Sequence, residues 1–317
     1  MDEKVKIKIG VSSCLLGNKV RFDGGHKHDR YITGTLGLFF DFVPVCPEVE
    51  CGLSVPRESM RLVGDPKSPR LITNKSGIDQ TDRMQAWSQI RLKELAGENL
   101  CGFIFKKQSP TSGMERVKVY GKNNVPQSVG TGLFAKAFME RFPLLPVEEE
   151  GRLHDLALRE NFIESVFVYQ RWRETVDGFT AKKLVDFHTS HKLLLRAHSE
   201  KLYRELGRIV AEAGTFEPEL LIDSYQNNLM AAMKLKPTVK KHVNVLLHIM
   251  GYFKKYLSSD EKQELLEVIE SFQNNYIPLI VPVTLINHYV RKYSESYLKQ
   301  QHYLTPHPTE LKLRNHA

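Results

Sequence analysis

The sequence holds no apolar run near the roughly 20 residues that would cross a bilayer. Its N-terminal MDEKVKIKIG is charged and alternating where a secretory signal carries an apolar stretch. Cysteine is scarce: Cys14, Cys46, Cys51 and Cys101 are too few to staple a chain of 317 residues, and a reducing compartment would keep them as thiols. Short-period repeats and low-complexity tracts are absent, and the net charge of +8 divides evenly between the halves, so neither half is a basic tail. These absences exclude a membrane span, a disulfide scaffold and a disordered nucleic-acid arm. They leave a soluble, cytoplasmic protein of about two domains, whose excess charge favours an anionic partner.

Three apolar runs read as strands. VKIKIGVSS (5–13) alternates and then meets Cys14, FDFVPVC (40–46) ends on Cys46, and LCGFIFK (100–106) leads into the loop KKQSPTSG. VKVYG reads as a fourth strand, and residues 80–100 have helical spacing at Met84, Trp87, Ile90, Leu92 and Leu95. Alternating strands and helices predict an α/β domain with a largely parallel, Rossmann-like sheet. The loops that follow such strands share one edge, where ligands bind. Cys14, Cys46 and the SPTS loop should therefore converge, while Cys101, at the start of its strand, should lie toward the other edge.

From about residue 152 the strand signals stop and an all-α domain is expected. The divisions are 1–150, a helical connector over 151–184, and a helical domain over 185–317. Val239, Val243, Leu246, Met250, Phe253 and Leu257 recur at helical spacing, with Pro237 suited to the helix start. No Asp or Glu occurs between Asp223 and Asp260, a stretch that carries Lys234, Lys236, Lys240, Lys241, Lys254 and Lys255. Those lysines are either phosphate contacts or a solvated face.

The pieces SSCLLGNKVRFDGG, VCPEVECGLSVPRE and KKQSPTSGMERV together resemble the DUF523 family of thiouracil desulfidases. HTSHKLLLRAHS and KHVNVLLHIMGYFKKYLS resemble the DUF1722 (YbgA) helical family. The two joined in this order resemble the fusion desulfidases that act on 4-thiouridine in tRNA. The resemblance implies a 4Fe-4S cluster held by three cysteines, with one iron open to the substrate sulfur. Two of those ligands match Cys14 and Cys46. The third falls on Ser112, a hard and poorly ionised donor. Cys51 is the expected substitute as third ligand, with a Ser112 oxygen ligand or loss of the cluster as alternatives.

The resemblance further gives Glu48 and Ser109 as the catalytic carboxylate and hydroxyl, although either could be a turn residue. It leaves Lys106, Arg21 and Asp23, with Ser112, as candidate contacts to base or phosphate. The implied activity is non-redox removal of sulfur from a thiolated pyrimidine, 4-thiouridine in tRNA, with Lys240, Lys241, Lys254 and Lys255 on the RNA. A free thiolated base as substrate, or a cluster-less RNA-binding protein, are the competing functions. His26 and His28 read as surface histidines.

Overall fold

The structure, a computed structural model, describes residues 6–121 and 123–315. The chain divides into two compact units, Met1–Asp155 and Leu156–Ala317.

The first unit is built on a four-stranded sheet in the order β2-β1-β5-β8, with β1 at Ile7–Ser12, β2 at Phe40–Val45, β5 at Phe103–Phe105 and β8 at Val147–Glu149. Every pair is parallel. Ile7 to Ser12 lie opposite Phe40 to Val45, Gly10 opposite Phe103, and Phe103 opposite Val147. Gly10 is required by that second pairing, since a Cβ there would sit 2.2 Å from the Phe103 ring. Phe103 and Phe105 are fully buried. They pack against Phe134 and Phe138 of α3, Leu133–Arg141, with Phe103 and Phe138 centroids 4.6 Å apart. Burying each such ring contributes about 2 kcal/mol. Because all four strands run the same way, Ser12, Val45, Phe105 and Glu149 end along one edge.

A second sheet, which the sequence reading does not anticipate, has the order β4-β3-β6-β7. Its strands are β3 Met60–Val63, β4 Arg70–Thr73, β6 Val117–Tyr120 and β7 Pro126–Gly130. VKVYG is a strand, as expected, but it belongs here. The fourth strand of the parallel sheet is instead VEE of β8. Leu62, Leu71, Val117 and Val119 form the core of the second sheet, with Met84 of α2 and Leu133 of α3. Helix α2 spans Thr81–Gly97 and buries Met84, Ser88, Leu92 and Leu95, whereas Ile90 is 62% exposed on the opposite face.

The second unit is helical, from α4 (Leu156–Val176) through α5 (Ala181–His198), α6 (Glu200–Ala211), α7 (Pro218–Met233), α8 (Val239–Tyr252), α9 (Ser259–Gln273) and α10 (Ile280–Lys292) to the short α11 (Ser296–Lys299). Helix α4 falls within this unit. Polar side chains start five of these helices, among them α11, where Glu295 accepts the Tyr297 N–H. Thr180, Ser199, Thr238 and Ser258 each accept a backbone N–H of the first turn, and Ser258 and Glu261 form a reciprocal capping box. On α8 and just beyond, Val243, Leu246, Phe253 and Leu257 are buried as their spacing predicts. Trp172 stacks on Tyr225 with centroids 4.9 Å apart, and the Tyr225 hydroxyl meets His188 Nδ1 at 3.0 Å.

Candidate active site

The shared edge of the parallel sheet opens into a cavity of about 590 Å³. Its walls come from the strand ends: Ser13 and Cys14 after β1, Cys46 to Glu48 after β2, Lys106 to Pro110 with Ser112 after β5, and Glu150 after β8. Arg21, Lys27 and Arg57 also line it. Cys14, Cys46 and the SPTS loop meet here as the strand ends predict, and Glu48, Lys106 and Arg21 line the same cavity. Cys101 is fully buried ahead of β5, where its N–H donates to Lys8 O near the start of β1.

Local sequence explains how each group is held. Pro47 opens a one-turn helix, α1 (Pro47–Glu50). Glu50 Oε1 accepts the Cys46 N–H at 2.7 Å, and Glu50 Oε2 pairs with Arg91 of α2 at 3.1 Å, so the CPE turn is tied to a long helix. In the loop after β5, Ser109 Oγ accepts the N–H groups of Thr111 at 3.3 Å and Ser112 at 3.0 Å, a turn of the kind serine favours. Gly113 lets the loop close on itself, since a Cβ there would lie 2.7 Å from Ser109 O. Two acids at the end of β8 brace the loop. Glu149 Oε1 accepts Met114 N–H at 2.7 Å, and Glu150 Oε2 accepts Lys107 N–H at 2.7 Å while its other oxygen pairs with Lys106 Nζ.

These constraints bring three oxygens into line. Thr111 Oγ1 donates to Glu48 Oε1 at 2.7 Å and lies 2.9 Å from Ser109 Oγ. The one Thr111 hydroxyl proton is engaged by Glu48, so Ser109 is the donor to Thr111. The other Glu48 oxygen faces Arg57 at 3.8 Å and the Cys46 thiol at 3.6 Å. Arg57, whose side chain is 8% exposed, also donates to Val20 O at 3.0 Å. Burial pushes the Cys14 thiol up to about 11, and burial followed by the Glu48 charge pushes Cys46 up to about 12. Both are protonated at neutral pH unless a cation takes the sulfur, and metal loading must release those protons.

Two candidates lie elsewhere. Cys51 is not part of the cavity wall: its thiol donates to Glu48 O at 3.2 Å, and its side chain packs against the core of the second sheet. The four residues after Pro47 turn the chain through α1, which carries position 51 toward Leu62 and Met84 rather than back to the strand end. Asp23 is exposed and off the wall; it pairs with Arg21 at 3.4 Å and its carboxyl is held below the usual range by the Gly25 N–H. Thr111, Arg57, Glu149 and Glu150 were missed by sequence reasoning. His26 and His28 are exposed, with His28 Nε2 at 2.8 Å from Thr33 Oγ1.

In the helical unit Lys240, Lys254 and Lys255 are exposed. Lys241 is half-buried, with Nζ donating to His198 O at 2.5 Å. Among the described residues no helix is long and apolar enough to cross a membrane.

Two family models match the chain, one within each unit. Residues 9–150 match the family model described as 2-thiouracil desulfurase, and residues 192–308 match the DUF1722 family model. The uncharacterized protein YbgA of Escherichia coli K12 is 32% identical over 139 residues, which span 44% of this chain and 82% of YbgA. The chain belongs to the YbgA (DUF1722) family. Ahead of its YbgA-type unit it carries a domain of the thiouracil desulfurase type. A solved structure of the [4Fe-4S]-dependent thiouracil desulfidase TudS is 30% identical, covering 49% of this chain and 97% of TudS at a TM-score of 0.38.

The wall of the cavity carries few soft donors. Cys14 and Cys46 supply two soft sulfur donors on one wall. Ser112, 4% exposed, supplies an oxygen on the same wall. Among the described residues no three His, Cys, Asp or Glu side chains come together as a metal site, so the soft donors of this wall number two, with the Ser112 hydroxyl beside them.

Proposed function

We propose that this YbgA-family protein is a desulfidase that converts a thiolated pyrimidine, 4-thiouridine in tRNA, to the uracil form with release of sulfide. The observation that carries the reading is the hydrogen-bonded run Ser109, Thr111, Glu48 on the wall of the cavity that also presents Cys14 and Cys46. Cys14 and Cys46, with Ser112 as third donor in place of Cys51, would hold the [4Fe-4S] cluster. When bound, the cluster supplies a Lewis acid for the substrate sulfur.

The chain's own groups account for the protons. Water adds to the carbon bearing sulfur, and Glu48 accepts the water proton. Once Glu48 has passed that first proton on, it takes the remaining O–H proton of the adduct as the C=O bond forms and the C–S bond breaks, and sulfur departs as sulfide with no change in net oxidation state. A protonated Glu48 can return its proton through Thr111 and Ser109 to the departing sulfur, because the two hydroxyls can reverse their donor direction together. Arg57 keeps one Glu48 oxygen oriented. Lys106, tied to Glu150, and Arg21 stand on the wall where a base or ribose would be steered. The cavity is far larger than a lone pyrimidine needs, and Arg21, Lys27 and Lys107 on its wall suit a substrate that carries phosphate. Lys240, Lys254 and Lys255 suit further phosphates of an RNA.

The test uses protein purified without oxygen. Iron content is measured for the wild type, Ser112→Ala and Cys51→Ala, and sulfide release is measured from tRNA containing 4-thiouridine and from free 4-thiouracil. Iron in the wild type and Cys51→Ala but not in Ser112→Ala, with sulfide released from the tRNA, is expected. A colourless wild type removes the cluster reading, iron lost only in Cys51→Ala restores the thiolate, and turnover of the free base alone removes the RNA.

A further inference from the structure

The helical unit encloses a second cavity, of about 210 Å³, against α4, α8 and α9. At about 30 Å³ per water it would hold about seven waters, close to the bulk of one heteroaromatic ring with its exocyclic atoms. Its charged floor is closed on itself. Arg314, 3% exposed, donates to Glu160 at 3.2 Å, to Glu164 at 3.1 Å and to Tyr303 O at 2.5 Å, and Glu164 also meets His198 at 2.6 Å. With the guanidinium answered by two carboxylates, the interior offers no net positive charge to an anion.

It does offer a directional contact. Asn161 lines the cavity, its Nδ2 donates to Met233 O at 3.0 Å, and its Oδ1 is buried with no hydrogen-bond partner. A buried acceptor left unmatched costs about 1–3 kcal/mol, and an occupant that draws the amide toward the cavity with an N–H would recover it. Glu160 stands one residue earlier on the same wall. Facing them are the ring of Phe272, edge-on to His242 at 6.2 Å between centroids, and Leu279, which give the space a flat apolar side. The mouth differs from the interior. Lys236 borders it and Lys240 follows on α8, both exposed, in the stretch without acidic residues.

An interior without net positive charge, with acceptors along one wall and an aromatic ring on the cavity lining, beneath a cationic mouth, matches a planar N–H-bearing ring tethered to an anion. We propose that this cavity binds the base of a single nucleotide, with its N–H edge on Asn161 and Glu160, its face near Phe272 and its phosphate outside at Lys236. The proposal does not depend on the desulfidase reading, since every lining residue lies in the helical unit.

The experiment is calorimetric titration of the full chain with uridine, uridine 5′-monophosphate and inorganic phosphate. It is carried out for the wild type, Asn161→Leu, Phe272→Leu and Lys236→Glu, each checked for unchanged thermal unfolding. Expected are binding of the nucleotide and nucleoside but not of phosphate, a tenfold or greater loss in Asn161→Leu and Phe272→Leu, and a loss in Lys236→Glu confined to the nucleotide. Lys236 is exposed, so that variant stays informative if either core substitution unfolds the unit. No nucleoside binding, phosphate binding as well as the nucleotide, or an affinity indifferent to all three substitutions would overturn the proposal.

Discussion

Both units place a glutamate at the centre of a polar network, and the two networks are built to opposite ends. Glu48 meets a threonine hydroxyl, a distant arginine and a thiol beside a cavity large enough for a nucleotide. Glu164 is held by His198 at 2.6 Å and by Arg314 at 3.1 Å, and both partners are essentially inaccessible. Hydrogen bonding and the charges of His198 and Arg314 overcome burial and draw the Glu164 carboxyl down to about 2. Satisfying every oxygen with charged partners yields a structural anchor. Leaving a carboxylate with a hydroxyl chain and open space yields a group able to exchange protons.

The comparison is broken most severely at Glu48. Glu48→Gln keeps the shape but removes the base, and desulfurisation should fall by about 10²–10⁴, while thermal unfolding stays close to the wild type. Sulfide release and calorimetric scans report the two effects separately. Next is Arg314→Met, which strands Glu160 and Glu164 without their cation and should cost about 3–5 kcal/mol, read from urea unfolding of the full chain.

Acid sharpens the contrast. The Glu164 carboxyl has a folded value below its unfolded one, so its contribution is complete above about 4.5 and is lost as pH falls toward about 2. The stability gap between the wild type and Glu164→Gln should therefore shrink by about 3 kcal/mol over that range, as measured by urea titrations at each pH. The smallest effect belongs to Thr111→Val. Loss of a hydrogen bond to a charged group, worth about 1.5–3 kcal/mol, should lower turnover by about 10- to 100-fold with little change in KM, and Thr111→Ser should restore it.

Much of this was legible in the sequence. Cys14 and Cys46 ended apolar runs, and parallel strands put such ends on one edge, so their meeting with Ser109, Ser112 and Glu48 followed from topology. The helical unit was legible from periodicity, as Val243, Leu246, Phe253 and Leu257 show. The second sheet was not. Its strands are four or five residues long, and PQSVG lacks alternation, so pairing with neighbours rather than local pattern makes it a strand. Three consecutive glutamates carry no local sign of burial, yet Glu148 to Glu150 are all buried, because loop N–H groups and Lys106 and Arg152 engage them. Cys51 illustrates the limit of spacing. Five residues from Cys46 are enough to return to the edge, but one helical turn sends the side chain into a different core.

The bracing of the loop after β5 by Glu149 and Glu150 also sets an order of events during synthesis. Cys14, Cys46 and Ser112 have all been added before the strand exists that braces the Ser112 loop at Lys107 and Met114. On a growing chain the ends of β1 and β2 can already lie side by side while the loop after β5 lacks its two braces. Chains are made at about 5–20 residues per second and domains fold as units, so the interval is short but finite. A cluster held as proposed would meet an incomplete wall within that interval, and the wall is whole only once β8 has clasped the loop, close to the point where the helical unit begins to emerge.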